Sequence, residues 1–181
     1  MSRDFLDIDI LSRAQGSLLG QLAGDSLGSL VEFRAPDDIR REYPSGVREL
    51  ADGGTWNTIA GQPTDDSEMA LLLARMLADQ GRYDPDEARK AYILWLDSGP
   101  FDCGMTVAGG LRGRPNPDSQ ANGAMMRISP LGIFGANHDA ELVAEWAQAV
   151  RIGATGGDTL SVKNLFDIPV SDIVAASKKP L

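Results

Sequence analysis

Pro63-Thr64-Asp65-Asp66-Ser67-Glu68-Met69-Ala70-Leu71-Leu72-Leu73 is the stretch on which the reading of this chain turns. Two adjacent carboxylates between two hydroxyls make an oxygen-donor set suited to a hard cation such as Mg²⁺, Mn²⁺ or Ca²⁺. The same residues also read as a helix start. Thr64 is a good N-cap, and acidic side chains in a first turn are favoured by the helix dipole whether or not a cation is present. Capping is commoner than coordination, so the segment alone does not choose between the two. Beyond it the spacing predicts a helix, with Met69, Leu72, Leu73, Met76 and Leu77 on one face as far as about Gln80 and Gly81 as a stop. A second helix opens at Asp84-Pro85, carries Ala88, Ala91, Tyr92, Trp95 and Leu96, and breaks at Ser98-Gly99-Pro100. The short link between them predicts an antiparallel pair.

Upstream, residues 12–30 have helical Leu and Ala spacing, yet glycine recurs at Gly16, Gly20, Gly24 and Gly28. Each interior glycine costs about 1 kcal/mol against alanine, so a ridge of four requires a reason: close packing of a neighbouring helix, or a ligand against the backbone. Glu32 lies just past the end of this helix. A short helix is expected over 37–42, and residues 48–62 form a glycine-rich loop leading to Pro63. Downstream, residues 101–111 read as another glycine-tolerant helix and 112–119 as a polar, proline-rich loop. Residues 120–130 read as a loop entering a short helix that Pro130 cuts off. Backbone N–H groups at such an entry hold phosphate or carboxylate, with Arg127 available to pair with it, while Met125, Met126 and Ile128 equally suit a core. An amphipathic helix over 139–152 has Asn137 or Asp139 as its cap. These elements predict a mostly helical domain over 1–152, succeeded by a divergent tail over 153–181 with weak periodicity.

Composition narrows the partners. The 181 residues are 43% apolar and 24% charged with a net charge of −9, which argues against a nucleic-acid partner because phosphate backbones need clustered Lys and Arg. No apolar run reaches membrane-spanning length and Met1-Ser2-Arg3-Asp4 lacks the order of a secretory signal, so no membrane partner and a cytoplasmic location are expected. One cysteine, Cys103, forms no internal disulfide, and one histidine, His138, leaves no His-rich zinc site or Ser-His-Asp arrangement.

Three segments taken in order resemble the ADP-ribosylglycohydrolase family over roughly residues 12–149. They are the glycine-ridged helix Gly16 to Gly28 with Glu32 after it, the run Thr64-Asp65-Asp66-Ser67-Glu68-Met69-Ala70-Leu71, and Asn122-Gly123-Ala124-Met125-Met126-Arg127-Ile128-Ser129-Pro130-Leu131-Gly132. The resemblance implies an all-α fold around a cleft that holds Mg²⁺ or Mn²⁺, and hydrolysis of the N- or O-glycosidic bond that joins ADP-ribose to a modified protein or a small-molecule acceptor, so that the partner is an ADP-ribosylated protein or an ADP-ribose-like small molecule. Carried over by position, Thr64, Asp65 and Asp66 match a metal-binding motif and Glu32 a catalytic glutamate near the scissile bond. Asn122, Gly123 and Met126 match the part of the cleft that holds ADP-ribose, with Arg127 beside them as a further substrate contact.

The C-terminal part departs from the family's pattern. Its second metal motif, Gly-Gly-Asp-x-Asp-Thr, is answered only by Gly156-Gly157-Asp158-Thr159, with Leu160 in place of the second aspartate, so Asp158 and Thr159 are candidate ligands of a degenerate site. On this reading the bundle is short for the family, its apolar faces favour a homo-oligomer, and a non-catalytic ADP-ribose-binding or structural descendant stands as the alternative to a hydrolase.

Overall fold

The computed structural model describes residues 8–116, 118–119, 121 and 123–150. Among these residues there is no strand, Gly53 and Thr58 form an isolated antiparallel bridge, and the architecture is the expected all-α one. The helices are α1 (Ile8–Gly28), α2 (Pro36–Glu42), α3 (Asp65–Gln80), α4 (Pro85–Asp97), α5 (Met105–Leu111), α6 (Ser129–Phe134) and α7 (Ala140–Ala149), with a 3₁₀ turn at Gly135–Asn137. None of them is long and apolar enough to cross a membrane.

Helix α3 is the hub, packing against α4, α6 and α1, while α5 adds to α4 and α7 to α6. Its apolar face buries Met69, Leu73, Met76 and Leu77 against Ala88, Tyr92, Trp95 and Leu96 of α4, and Val107, Leu111, Leu131 and Val150 complete the core. Burial of each large apolar side chain stabilises by about 1.5–3 kcal/mol, so this hairpin supplies much of the driving force. Polar contacts set its register. Trp95 Nε1 donates to Glu68 Oε2 at 2.6 Å, joining the two helices near the start of α3. Gly81 ends α3 in the left-handed region at φ 63°, its N–H on Leu77 O, and Asp84 caps α4 by accepting from Asp86 N and Glu87 N.

Three local expectations change. The helix expected over 101–111 begins only at Met105, which leaves residues 101–104 as loop. Pro130 starts a helix instead of ending one: it lies in the first turn of α6, where the missing N–H costs nothing. The glycine ridge of α1 is not a close-packing seam, since a Cβ built at Gly16, Gly20, Gly24 or Gly28 meets nothing within 4 Å. At α7 the cap is Asp139, which accepts from Glu141 N. The expected boundary at 152 and the 153–181 tail lie outside the described residues.

Candidate functional site

The start of α3 is not capped by its own threonine. Thr64 occupies the N-cap position in extended backbone, but its side chain makes no capping bond. The cap comes from α1, 39 to 42 residues away in sequence, where Asp25 accepts from Thr64 N at 3.0 and 3.2 Å and from Ser67 N at 3.1 Å. Thr64 Oγ1 also donates to Asp25, at 2.7 Å. A hydroxyl that spends its proton in this way still has lone pairs to offer a cation. Asp65 and Asp66 are thereby released from capping. Asp65, 8% exposed, accepts from Gly104 N at 3.4 Å, while Asp66 borders open space.

That space consists of two hollows of about 410 and 330 Å³ that share Glu32, Asp66 and Met126, each within the range of small-ligand sites. Gly24 and Gly28 of α1 line the first with Asp25 and Thr64, and Asp65, Asp102 and Gly123 line the second. Two glycines of the ridge therefore border the cleft, which puts half of the ridge on its wall. Glu32 sits in the turn after α1, where its Oε2 accepts from Trp56 Nε1 at 2.8 Å.

Five carboxylates, Asp25, Glu32, Asp65, Asp66 and Asp102, meet around the two hollows. Burial, and after it the repulsion of its acidic neighbours, pushes Asp66 up to about 6 and Asp102 up to about 7. Asp65 is also raised, first by burial and then by Glu32 and Asp25, against the opposing pull of the Gly104 N–H. Such a cluster carries unbalanced negative charge that a divalent cation would relieve. In kind, the all-oxygen donors Thr64, Asp65 and Asp66 fit Mg²⁺ or Mn²⁺. In arrangement they are only part of a ligand set, because among the described residues no group of three or more Asp, Glu, His or Cys side chains is placed to hold a metal ion.

The segment after residue 122 contributes Gly123 and Met126 to the cleft lining. Gln21 of α1 ties it to α3: its Nε2 donates to Asp66 O at 3.0 Å and to Met126 O at 2.8 Å, and its Oε1 accepts from Ser129 Oγ. Gly123 and Met126 line the second hollow, whereas Asn122, Asp158 and Thr159 lie outside the described residues. Arg127 does not face the cleft. Its side chain is wholly buried, with Nη1 on Gly123 O, Nη2 on Val150 O at 2.9 Å, and the guanidinium 5.1 Å from the centre of the Tyr92 ring. The expected Arg127–substrate contact is not formed by this geometry: the guanidinium turns inward and holds the Gly123 carbonyl instead. A cation flanked by Met125, Met126 and Ile128 turns inward when backbone carbonyls are there to receive it.

Residues 6–158 match the ADP-ribosylglycohydrolase family. The ADP-ribosyl-[dinitrogen reductase] glycohydrolase of Rhodospirillum rubrum is 38% identical over 140 residues, which is 72% of this chain and 47% of that protein. The ADP-ribosylarginine hydrolase Tri1 of Pseudomonas putida is 32% identical over 157 residues, 77% of this chain and 40% of its own. A solved structure described as an ADP-ribosylglycohydrolase-related protein complex superposes with a TM-score of 0.65 at 26% identity, over 83% of this chain and 51% of the other. The chain thus spans about half the length of the relatives it matches. The matched span holds Glu32, the Thr64-Asp65-Asp66 edge and the Gly123–Met126 wall that the fold brings around one cleft, and the chain belongs to the ADP-ribosylglycohydrolase family.

Proposed function

We propose that this chain hydrolyses the glycosidic bond between the terminal ribose of ADP-ribose and its acceptor. The observation that carries the reading is the meeting of Glu32, Asp65, Asp66 and Asp102 in one cleft whose far wall is Gly123 and Met126. Glycoside cleavage passes through an oxocarbenium-like state and needs an aligned water, a base for its proton and a proton for the leaving group. Glu32, fixed at one carboxylate oxygen by Trp56, is the base in this reading, and Asp102 is the carboxyl of the same hollow that stands outside both this role and the Asp65–Asp66 donor pair. Thr64, Asp65 and Asp66 would hold Mg²⁺ or Mn²⁺, with water or further oxygens completing about six ligands. The cation would supply positive charge for ribose hydroxyls in a cleft that otherwise repels an anionic ligand.

The named activities of the relatives support a modified protein side chain as acceptor, ADP-ribosylarginine included. The acid-lined cleft agrees with this, since it favours a cationic leaving group over an anionic one. Calorimetric titration with ADP-ribose in Mg²⁺ or Mn²⁺ tests the reading. Binding is expected to weaken about 10-fold or more in EDTA and in Asp65→Ala/Asp66→Ala, since a hydrogen bond to a charged group is worth about 1.5–3 kcal/mol. Turnover of an ADP-ribosylarginine peptide should fall in parallel. Binding without turnover would leave a non-catalytic ADP-ribose binder, and undiminished turnover by the double variant would remove the mechanism.

The glycine ridge makes a separate prediction. Gly24 lines the cleft, and a Cβ there meets no protein atom within 4 Å. Gly24→Ala is therefore expected to stabilise the fold by about 0.5–1 kcal/mol through helix propensity, yet to weaken ADP-ribose binding by intruding on the ligand's space. Gly16→Ala should give the stability gain alone. Thermal melts and titrations of both variants check this; equal affinity in the two would show that the ridge does not touch ligand.

A further inference from the structure

Trp56 stands on a loop that grips the Glu32 turn at several points. Gly53 and Thr58 close the loop with reciprocal backbone bonds of 2.8 and 2.9 Å. Gly54, at φ +72°, brings it onto the end of α1 so closely that a Cβ would lie 2.8 Å from Leu30 Cα and 2.9 Å from Ser29 O. From there Thr55 N donates to Ser29 O at 3.3 Å, Thr55 Oγ1 donates to Glu32 O, and Trp56 Nε1 donates to Glu32 Oε2 at 2.8 Å. The indole is itself braced. The rings of Phe33 and Phe101 meet it edge-on at 6.2 and 6.1 Å, and Phe101 immediately precedes Asp102.

We infer that Trp56 is a positioning residue for Glu32, holding one carboxylate oxygen so that the other is presented to the cleft in a fixed direction. An indole N–H only donates, so it holds a carboxylate oxygen and offers no competing acceptor. A glutamate in a turn after a helix end has rotamer freedom to lose, and a base displaced by about 1 Å loses about 100-fold in rate. The aromatic run from Phe33 through Trp56 to Phe101 also spans the two segments that carry Glu32 and Asp102, so the same indole sets both sides of the second hollow. This role rests on the proposed part of Glu32 in catalysis, but the contact itself can be tested without turnover.

In ¹H–¹⁵N spectra the Trp56 indole resonance, identified by its loss in Trp56→Phe, is expected to shift in Glu32→Gln, while the Trp95 and Trp146 indoles stay in place. In the hydrolysis assay with an ADP-ribosylarginine peptide and Mg²⁺, Trp56→Phe, which keeps a ring between Phe33 and Phe101, should lower kcat about 10-fold or more with KM within about twofold. The same substitution placed in Glu32→Gln should cause no further loss. An indole resonance indifferent to Glu32→Gln overturns the positioning role. So does a Trp56→Phe loss that appears only in KM or adds in full to that of Glu32→Gln. Full turnover by Glu32→Gln with a shifted indole resonance would instead remove the proposed catalysis by Glu32 and leave the contact standing.

Discussion

Asp25→Ala is expected to lower stability by about 3 kcal/mol, equivalent to about 6–12 °C in the melting midpoint for a chain of this size. The carboxylate receives Thr64 N, Thr64 Oγ1 and Ser67 N, and both partner residues are only 3% exposed. Their donors would then be buried without an acceptor, at about 1–3 kcal/mol each before relaxation, and α3 would lose its cap. One effect has the opposite sign: Asp25 raises Asp66 and Asp102 by repulsion, so its removal relieves the acidic cluster. Repulsion between partly solvated charges is worth about 1 kcal/mol or less, which leaves the loss of the cap in control. Binding should suffer with the fold, because Asp25 fixes the backbone at Thr64 and hence the directions of Asp65 and Asp66. Asp25→Asn, which keeps one oxygen acceptor but turns an amide donor towards buried N–H groups, should lie between the alanine variant and the parent. Thermal melts with a Mg²⁺ titration check both; an Asp25→Ala midpoint within about 2 °C of the parent would show that α3 needs no cap from α1.

Legibility in the sequence depends on how far apart the interacting residues lie. The α3–α4 hairpin can be read because its signals are local: apolar spacing, Gly81 at a left-handed stop, and Asp84-Pro85 as cap and first turn. Thr64, Asp65 and Asp66 are legible as a unit because they are contiguous. The residues that arrange them are not. Asp25 acts across 39 residues and Gln21 across 45 and 105, and no periodicity marks such pairs. One signal for Asp25 does exist: an acid inside an apolar, glycine-ridged helix needs a partner, and a helix start is a ready supplier of N–H donors.

The differences between expectation and structure have equally local causes. Pro130 reads as a stop because proline cannot continue a helix, although it is just as favourable in a first turn, and only the preceding backbone decides between the two. Asp102 is hidden in a stretch that reads as helix. The loop over 101–104 exists because the helix waits until Met105, and that loop delivers both Asp102 and the Gly104 N–H to the cluster. Trp56 and Glu32, 24 residues apart, meet only because Gly54 allows backbone to lie on backbone.

Arg127→Ala should be the other severely destabilising substitution, at about 4 kcal/mol. The guanidinium is wholly buried and bridges Gly123 O to Val150 O, carbonyls far apart in sequence, while lying over Tyr92. Truncation leaves both carbonyls without that donor and opens a cavity beside Met69 and Tyr92, two of the most buried core residues. A buried cation also carries a desolvation cost, so an apolar replacement of similar size can be neutral. Arg127→Met separates these effects. It fills the volume and removes the charge but cannot donate, so a midpoint close to that of the parent would mean the fork contributes little, and one near that of Arg127→Ala would assign the loss to the carbonyls. The second outcome is expected, because Gly123 has no freedom to find another partner: a Cβ there would already lie 2.7 Å from Val107 Cγ2, so the loop is pressed against α5. Since Gly123 also lines the cleft, both variants should lose ADP-ribose affinity even at temperatures where they remain folded. Unaltered affinity in folded Arg127→Met would mean that the Gly123 wall keeps its shape without the arginine behind it.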